Sequence, residues 1–297
     1  MDLDDCDKSK QLKMIKEPIP LFRRFITTPT TTVILALGAF IALSNPEPQS
    51  TASAKLESFA ETLPNSVVKI QMIAIPGGTV IIDSKPVTVK PFWIAQTETP
   101  WEAYDVFLKS GPPSKAYDQT EFAPDAVARP SKSYILPDLG WGHNGFPAIN
   151  LSFTSVQMFC RWLAKESTKK YRVPTEAEWE LACRAGVEGA WNISKGDVEK
   201  SAWTADNSNR MTHPIAKKQA NKLGLFDILG NVGEWATDAK GQPVLCGGTF
   251  LDDAASQGPS IRKYWAPKWQ ETDPQLPKSR WWLSDGPFVG FRLVCEP

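Results

Sequence analysis

The stretch Tyr171-Arg-Val-Pro-Thr-Glu-Ala-Glu-Trp-Glu-Leu-Ala-Cys-Arg-Ala-Gly186 carries a full set of helix start and stop signals. Thr175 stands at the N-cap with Glu178 three residues on, the spacing at which each side chain satisfies an orphan amide of the other's backbone in a capping box. Gly186 supplies the residue past the C-terminus that tolerates a left-handed backbone. Between them Trp179, Leu181, Ala182 and Cys183 lie on or beside one helical face, so the segment predicts a buried amphipathic helix and not a reactive centre.

The same grammar recurs upstream. Thr99 as N-cap, Pro100 at the first helical position and Glu102 at the third predict a helix with Trp101, Tyr104 and Leu108 on one face and Gly111 as its stop. A second helix is expected from Thr154, with Gln157 at its third position and Val156, Phe159, Cys160 and Leu163 as the buried stripe. Residues 112–149 hold Pro112, Pro113, Pro124, Pro130, Pro137 and Pro147 with little periodicity, which predicts a long surface excursion. Strands are expected at Val67–Ile75 and Thr79–Ile82, broken by Pro76-Gly-Gly78, with a third over Val87–Ile94. After the third helix the chain reads as loops and short strands, including Val244–Phe250 and Phe288–Val294, with no internal repeat and no second domain.

With 297 residues, 42% hydrophobic, and 33 Lys+Arg against 33 Asp+Glu, the chain can bury one large core. Zero formal charge removes the basic footprint that non-specific nucleic-acid binding needs, so no nucleic-acid partner is expected. The 25 prolines and 12 tryptophans predict short elements joined by ordered loops, with indole rings supplying much of the buried area.

The first residues read as membrane targeting. A basic tail over residues 1–28, with Lys8, Lys10, Lys13, Lys16, Arg23 and Arg24, precedes the apolar run Val33–Leu43. That order places the N-terminus in the cytoplasm and the bulk of the chain outside, periplasmic or extracellular. Residues 29–44 are read as a single transmembrane anchor, 45–66 as a Pro/Ser-rich linker and 67–297 as the folded domain. A cleaved signal peptide competes, because Ala52-Ser-Ala54 fits a small-residue cleavage pattern, but the basic segment is long for a signal and that site is far from the apolar run. On this topology Cys6 stays on the reducing side, and Cys160, Cys183, Cys246 and Cys295 face an oxidising compartment in which bridges are expected, the pairing left open by spacing.

A second block, Gly224-Leu-Phe-Asp-Ile-Leu-Gly-Asn-Val-Gly-Glu-Trp235, completes a signature with Arg172–Trp179. Around the two blocks stand Ile75-Pro-Gly-Gly-Thr79, Pro91-Phe-Trp-Ile94, Glu98-Thr99, Phe146–Ser152, Thr212-His-Pro-Ile215, Cys246-Gly-Gly-Thr-Phe250 and Val289-Gly-Phe-Arg292. In this order they resemble the formylglycine-generating enzyme family, also called sulfatase-modifying factor domains, over roughly residues 70–297. The resemblance implies an α+β, C-type-lectin-like fold, loop-rich with few helices and short strands. It also implies an oxidase that converts a sulfatase cysteine to formylglycine with a copper ion held by two cysteines, since Cu(I) prefers a pair of soft thiolates. Here the matching positions are Asp252 and Gln257, so no catalytic pair and no copper are expected on this donor set; Cys246 lies on the wrong side of the glycines.

By the same resemblance Cys160 pairs with Cys295. Cys183 matches a half-cystine whose usual partner position is Arg262, which leaves Cys183 with Cys246, or buried free thiols. Asp227 and Glu234, with backbone oxygens of Gly230 and Val232, match a calcium site, and Asn207 and Ser208 keep part of a second, with Ala216 where an acid can occur. His143 and His213 are the only histidines and read as loop-fixing groups. The aromatic-rich tail, with Thr249, Arg262, Trp265, Trp281 and Trp282 as candidate contacts, replaces the enzymes' substrate region and suits a peptide, protein or glycan ligand, against plain loop packing. The expected function is a membrane-anchored, catalytically degenerate binding or scaffolding module; the alternatives are an oxidoreductase acting on sulfatase cysteines and a lectin-like receptor.

Overall fold

Backbone hydrogen bonding in the computed structural model, which describes residues 56–110, 137–274 and 276–297, gathers short strands into three sheets. In chain order the elements are β1 (Phe59–Thr62), β2 (Lys69–Ile75), β3 (Gly78–Ile82), β4 (Lys85–Val89), β5 (Phe92–Ala95), α1 (Trp101–Ser110), α2 (Phe153–Ser167), β6 (Tyr171–Arg172), α3 (Glu176–Arg184), α4 (Lys195–Ser201), β7 (Gly233–Thr237), β8 (Pro243–Cys246), β9 (Arg262–Lys263), β10 (Val289–Gly290) and β11 (Val294–Cys295). One sheet runs β1-β2-β5-β11-β6, a second β10-β7-β8-β9, and β3 and β4 form a hairpin. Among these pairs only β10 with β7 is parallel. The fold is the expected α+β arrangement, low in regular structure.

Local chemistry accounts for most of the element ends. On α3 the capping box forms as expected: Thr175 Oγ1 accepts from the Glu178 amide and Glu178 Oε2 accepts from the Thr175 amide. Ala185 and Gly186 both take left-handed backbones past the helix end. The strand expected over Val87–Ile94 is two strands, because Pro91 has no amide to donate to a ladder. Gly77 is required at the preceding turn, since a Cβ there would stand 2.6 Å from the Val89 carbonyl oxygen.

The other two expected caps do not form. The Thr99 amide donates to the Phe291 carbonyl and its hydroxyl has no partner, while Glu102 Oε2 accepts from the Gly145 amide. Helix α1 is therefore pinned at its start by neighbouring loops and not by its own side chains. Helix α2 starts one residue before Thr154, with Ser152 Oγ accepting from the Ser155 amide. Short α4, capped by Ser194, was not expected; it buries only Val198, too little to leave a helical periodicity.

The folded domain also begins earlier than Val67. β1 lies antiparallel to β2 with Phe59 opposite Met72, and buried Glu61 accepts from Lys169 Nζ and the Tyr171 hydroxyl, both at 2.6 Å. The linker expected over 45–66 thus ends before Phe59. Residues 1–55, with Cys6 and the expected span 29–44, lie outside the described residues, as does 111–136 of the expected excursion and the Gly111 stop. Among the described residues no helix is long and apolar enough to cross a membrane.

Two apolar clusters fill the interior. One gathers around Trp101, Tyr104, Phe107, Phe159, Trp235 and Phe291, and the other around Trp179, Phe92, Ile94, Leu225 and Val294. Trp101, Trp179 and Trp235 are fully buried, the role expected of the indoles. Replacing Thr175 by Ala removes the N-cap of α3 and is expected to cost about 1 kcal/mol, lowering the thermal midpoint by roughly 2–4 °C for a domain of this size, read by circular dichroism.

Candidate functional site

Strand β8 delivers the chain to Gly247, whose φ of 91° is one that residues with a side chain rarely adopt. At Gly248 a Cβ would stand 1.9 Å from Gln257 Oε1, so a side chain there would displace the Gln257 amide. Both Thr249 donors, the amide at 2.9 Å and the hydroxyl at 2.8 Å, reach Asp252 Oδ2. Lys263 Nζ, from edge strand β9, lies 2.7 Å from Asp252 Oδ1 and 2.5 Å from Oδ2. Gln257 is buried, and its Nε2 donates to the carbonyls of Thr249 at 3.0 Å and Asp252 at 3.3 Å. Thr249, Asp252 and Lys263 line a cavity of about 340 Å³ together with Lys268, Trp269 and Phe288.

These residues do not fit a copper ion. A carboxylate tied to an ammonium and to hydroxyl and amide donors, and an amide tied to two carbonyls, offer no soft ligand. Cys246 does not stand in for the missing thiols: it is buried on β8, and burial pushes its thiol up to about 12, away from the thiolate that binds metal.

Below the loop lies a group of buried carboxylates. Arg292 Nη2 donates to Glu234 Oε1 at 2.7 Å, and Arg292 Nε bridges both Glu234 oxygens at 3.0 Å. The Trp179 indole donates to Glu234 Oε2 at 2.7 Å. Glu98 accepts from the Val232 amide on Oε1 and from Asn231 Nδ2 on Oε2. Burial, with Asp227 and Glu234 adding to it, pushes the Glu98 carboxyl well above the usual carboxylate range. Asp227 is pushed up to about 6, chiefly by burial; its Oδ2 accepts from the Ala216 amide and its Oδ1 has no partner.

The calcium set inherited from the resemblance is not assembled here. Both Glu234 oxygens are filled by Arg292 and Trp179, and the loop carrying Gly230 and Val232 is held to Glu98 and Trp203 by its own amides. Of the two side chains in that set, Asp227 keeps an oxygen without a partner. At the second expected position Asn207 Oδ1 accepts from the Thr204 amide, and Ser208 Oγ donates to the Phe250 carbonyl while accepting from the Arg210 amide, so both side chains close their own loop. Neither set fits a hard cation as it stands.

The other expectations divide. All four described cysteines are buried free thiols, so neither Cys160–Cys295 nor Cys183–Cys246 is bridged. Burial holds them protonated, raising Cys160 to about 12 and Cys183 and Cys295 above their ordinary value, and a protonated thiol does not enter exchange. Of the proposed ligand contacts, Thr249 and Trp281 are buried, and Trp282 stacks on Trp101 at 6.3 Å. Arg262 binds Glu176 and Glu180 of α3 at 3.2 and 2.8 Å. These four are packing groups, and only Trp265, beside Tyr264, faces solvent. His213 is the expected loop fixer: its ring stacks on Trp203 at 3.8 Å and Nε2 donates to the Ser208 carbonyl. His143 stacks on Trp101 between Asp105 and Asp138. Sequence reasoning assigned no role to Glu98 or Arg292, although a charge inside the apolar run Phe288–Val294 signals a buried partner.

A loop-rich α+β domain, with a glycine-started loop over a buried Arg–Glu pair, is the class that these features define. Residues 58–297 match the Sulfatase-modifying factor enzyme 1-like domain, and the chain belongs to that family. It is 29% identical over 126 residues to the inactive C-alpha-formylglycine-generating enzyme 2 of Bos taurus, covering 37% of this chain and 40% of that protein. It is 31% identical over 106 residues to the formylglycine-generating enzyme of Mus musculus, covering 31% of this chain and 27% of that enzyme. The chain thus spans less than half the length of these relatives. Treponema denticola variable protein 1 shares the fold, with a TM-score of 0.57 and 20% identity over 81% of this chain and 99% of that one.

Replacing Glu234 by Gln leaves Arg292 buried without its counter-charge and is expected to cost about 3–5 kcal/mol. The loss should be equal in calcium and in chelator, measured by denaturant unfolding, because the missing partner is a guanidinium and not an ion. A deficit that appears only in calcium would mean that Glu234 serves a metal.

Proposed function

We propose that this chain is a non-catalytic member of its family, a binding or scaffolding domain displayed outside the cytoplasm on an N-terminal anchor. The observation that carries the reading is the state of the two thiol positions: Asp252 is neutralised by Lys263 and Thr249, and Gln257 is buried across Gly248. Oxygen activation at this place needs a metal held by soft, ionisable ligands, and the loop offers an ion-paired carboxylate and an amide instead. Similarity to a relative named as inactive supports the reading, although similarity to active enzymes is of the same order. For contact with a peptide, protein or glycan, the exposed pair Tyr264 and Trp265, just past edge strand β9, supplies aromatic surface.

Supplied with Cu(I) and a sulfatase-type cysteine peptide, the protein is expected to bind no stoichiometric copper, consume no oxygen and yield no aldehyde. A tight copper complex that disappears in a Cys246→Ser variant would restore the oxidoreductase reading. Protease added from outside to intact cells should remove the C-terminal domain while the anchor stays with the membrane; recovery of a soluble form beginning near Lys55 would establish a cleaved signal instead.

A further inference from the structure

A second cavity, sharing no lining residue with the one beside Asp252, lies between the end of α3, helix α4 and the loop that precedes β7. Its volume is about 220 Å³, and its walls include Trp191, Ile193, Val198, Leu225, Ile228 and Leu229. An apolar cavity of ~150 Å³ is already large enough for benzene. Asp227 stands in the wall of this one, 1% exposed, with Oδ1 lacking any hydrogen-bond partner. The Trp191 indole N–H, on another part of the wall, is also buried and without a partner. Buried polar groups in folded proteins are nearly always satisfied, and a carboxylate oxygen left bare is the costliest kind of exception.

Hydrogen bonding leaves that oxygen without a cationic partner. Glu98, Asp227 and Glu234 share one buried guanidinium, and Arg292 spends both its Nε and Nη2 on Glu234 while Nη1 goes to the Ala95 carbonyl. Lys218 lies over the Trp203 ring and donates to the Glu199 carbonyl, Arg184 in the cavity wall is paired with Glu180, and Lys222 also lines the wall, while the Asp227 carboxylate accepts from the Ala216 amide. Arg292 is thus spent on Glu234, and Asp227 Oδ1 remains an acceptor that a positive donor can fill. A hard metal ion needs several oxygens around it, whereas most of this wall is carbon.

We propose that this cavity binds a small organic ammonium ion, an alkyl- or arylamine, with an N–H donated to Asp227 and the hydrocarbon seated against the Trp191, Leu225 and Leu229 side. The ammonium supplies the donor and the charge that Asp227 lacks, and the carbon skeleton removes apolar wall from water. The site is independent of the copper question and does not rest on the binding function proposed above.

The test is ligand-induced thermal stabilisation of the full chain with benzylamine, with toluene and calcium chloride as separate arms, in the wild type, Asp227→Asn and Val198→Phe. At a hundredfold excess over its dissociation constant benzylamine should raise the wild-type midpoint by roughly 5–10 °C. Toluene, lacking the ammonium, should bind at least about tenfold more weakly. Asp227→Asn should weaken benzylamine to a similar degree, and Val198→Phe should abolish its effect by filling the space. Independently of the variants, benzylamine should shift the Trp191 indole signal in a ¹H–¹⁵N spectrum of the wild type. No stabilisation of the wild type at millimolar benzylamine overturns the proposal, as does an equal response in Val198→Phe. A calcium shift that Asp227→Asn abolishes, with no benzylamine shift, overturns it in favour of a metal ion at the same oxygen.

Discussion

Arg292 and Glu234, both shut off from solvent, are the pair around which the two larger sheets are joined. Arg292 lies in the connection between β10 and β11, and Glu234 lies on β7. From the guanidinium, Nη1 reaches the Ala95 carbonyl on β5 and Nη2 reaches the Phe226 carbonyl, while the Trp179 indole of α3 completes the carboxylate. One buried salt bridge thus binds a strand from each large sheet, a helix and a loop. Such a pair adds little net stability over a well-packed apolar alternative, because both charges lose water. What it contributes is geometry: every donor has one place to go, and the surrounding elements take their positions from it.

The same economy governs the loop where the family's enzymes hold their thiols. The chain has only short strands to pin it, so Asp252 collects two donors from Thr249 and a lysine from β9, and Gln257 lies where any side chain on Gly248 would have been. A carboxylate and an amide in these positions are compatible with the fold because they satisfy the loop's own amides and carbonyls. They are incompatible with the soft-ligand chemistry that the positions serve elsewhere. At 252 and 257 the difference from those enzymes is therefore a loop held by other hydrogen bonds and not merely the absence of two thiols.

The helix caps and strand β1 show where local signals suffice and where they fail. Thr175 and Glu178 stand within one turn and need nothing else, so their capping box is legible and forms. Thr99 and Glu102 have the same spacing, yet the strand connection at Phe291 takes the Thr99 amide and the Gly145 amide takes Glu102. Strand β1 was hidden inside a Pro- and Ser-rich stretch, because pairing with β2 and the burial of Glu61 by Lys169 and Tyr171 are contacts with residues far along the chain.

The sequence by itself determined the family, the α+β class, the α3 capping box, the buried stripes of α2 and α3, the missing thiols at 252 and 257 and the loop-fixing role of His213. These depend on residue identity at fixed short spacing. Only the tertiary structure decided that Glu234 is paired with Arg292, that the four described cysteines lie unbridged, that Trp281, Trp282 and Arg262 pack inward, and that Asp227 keeps a bare oxygen beside a mostly apolar cavity. The physical reason is the same throughout: whether a polar atom is spent or available depends on which distant donor reaches it first, and burial then fixes that outcome by removing water as a substitute partner.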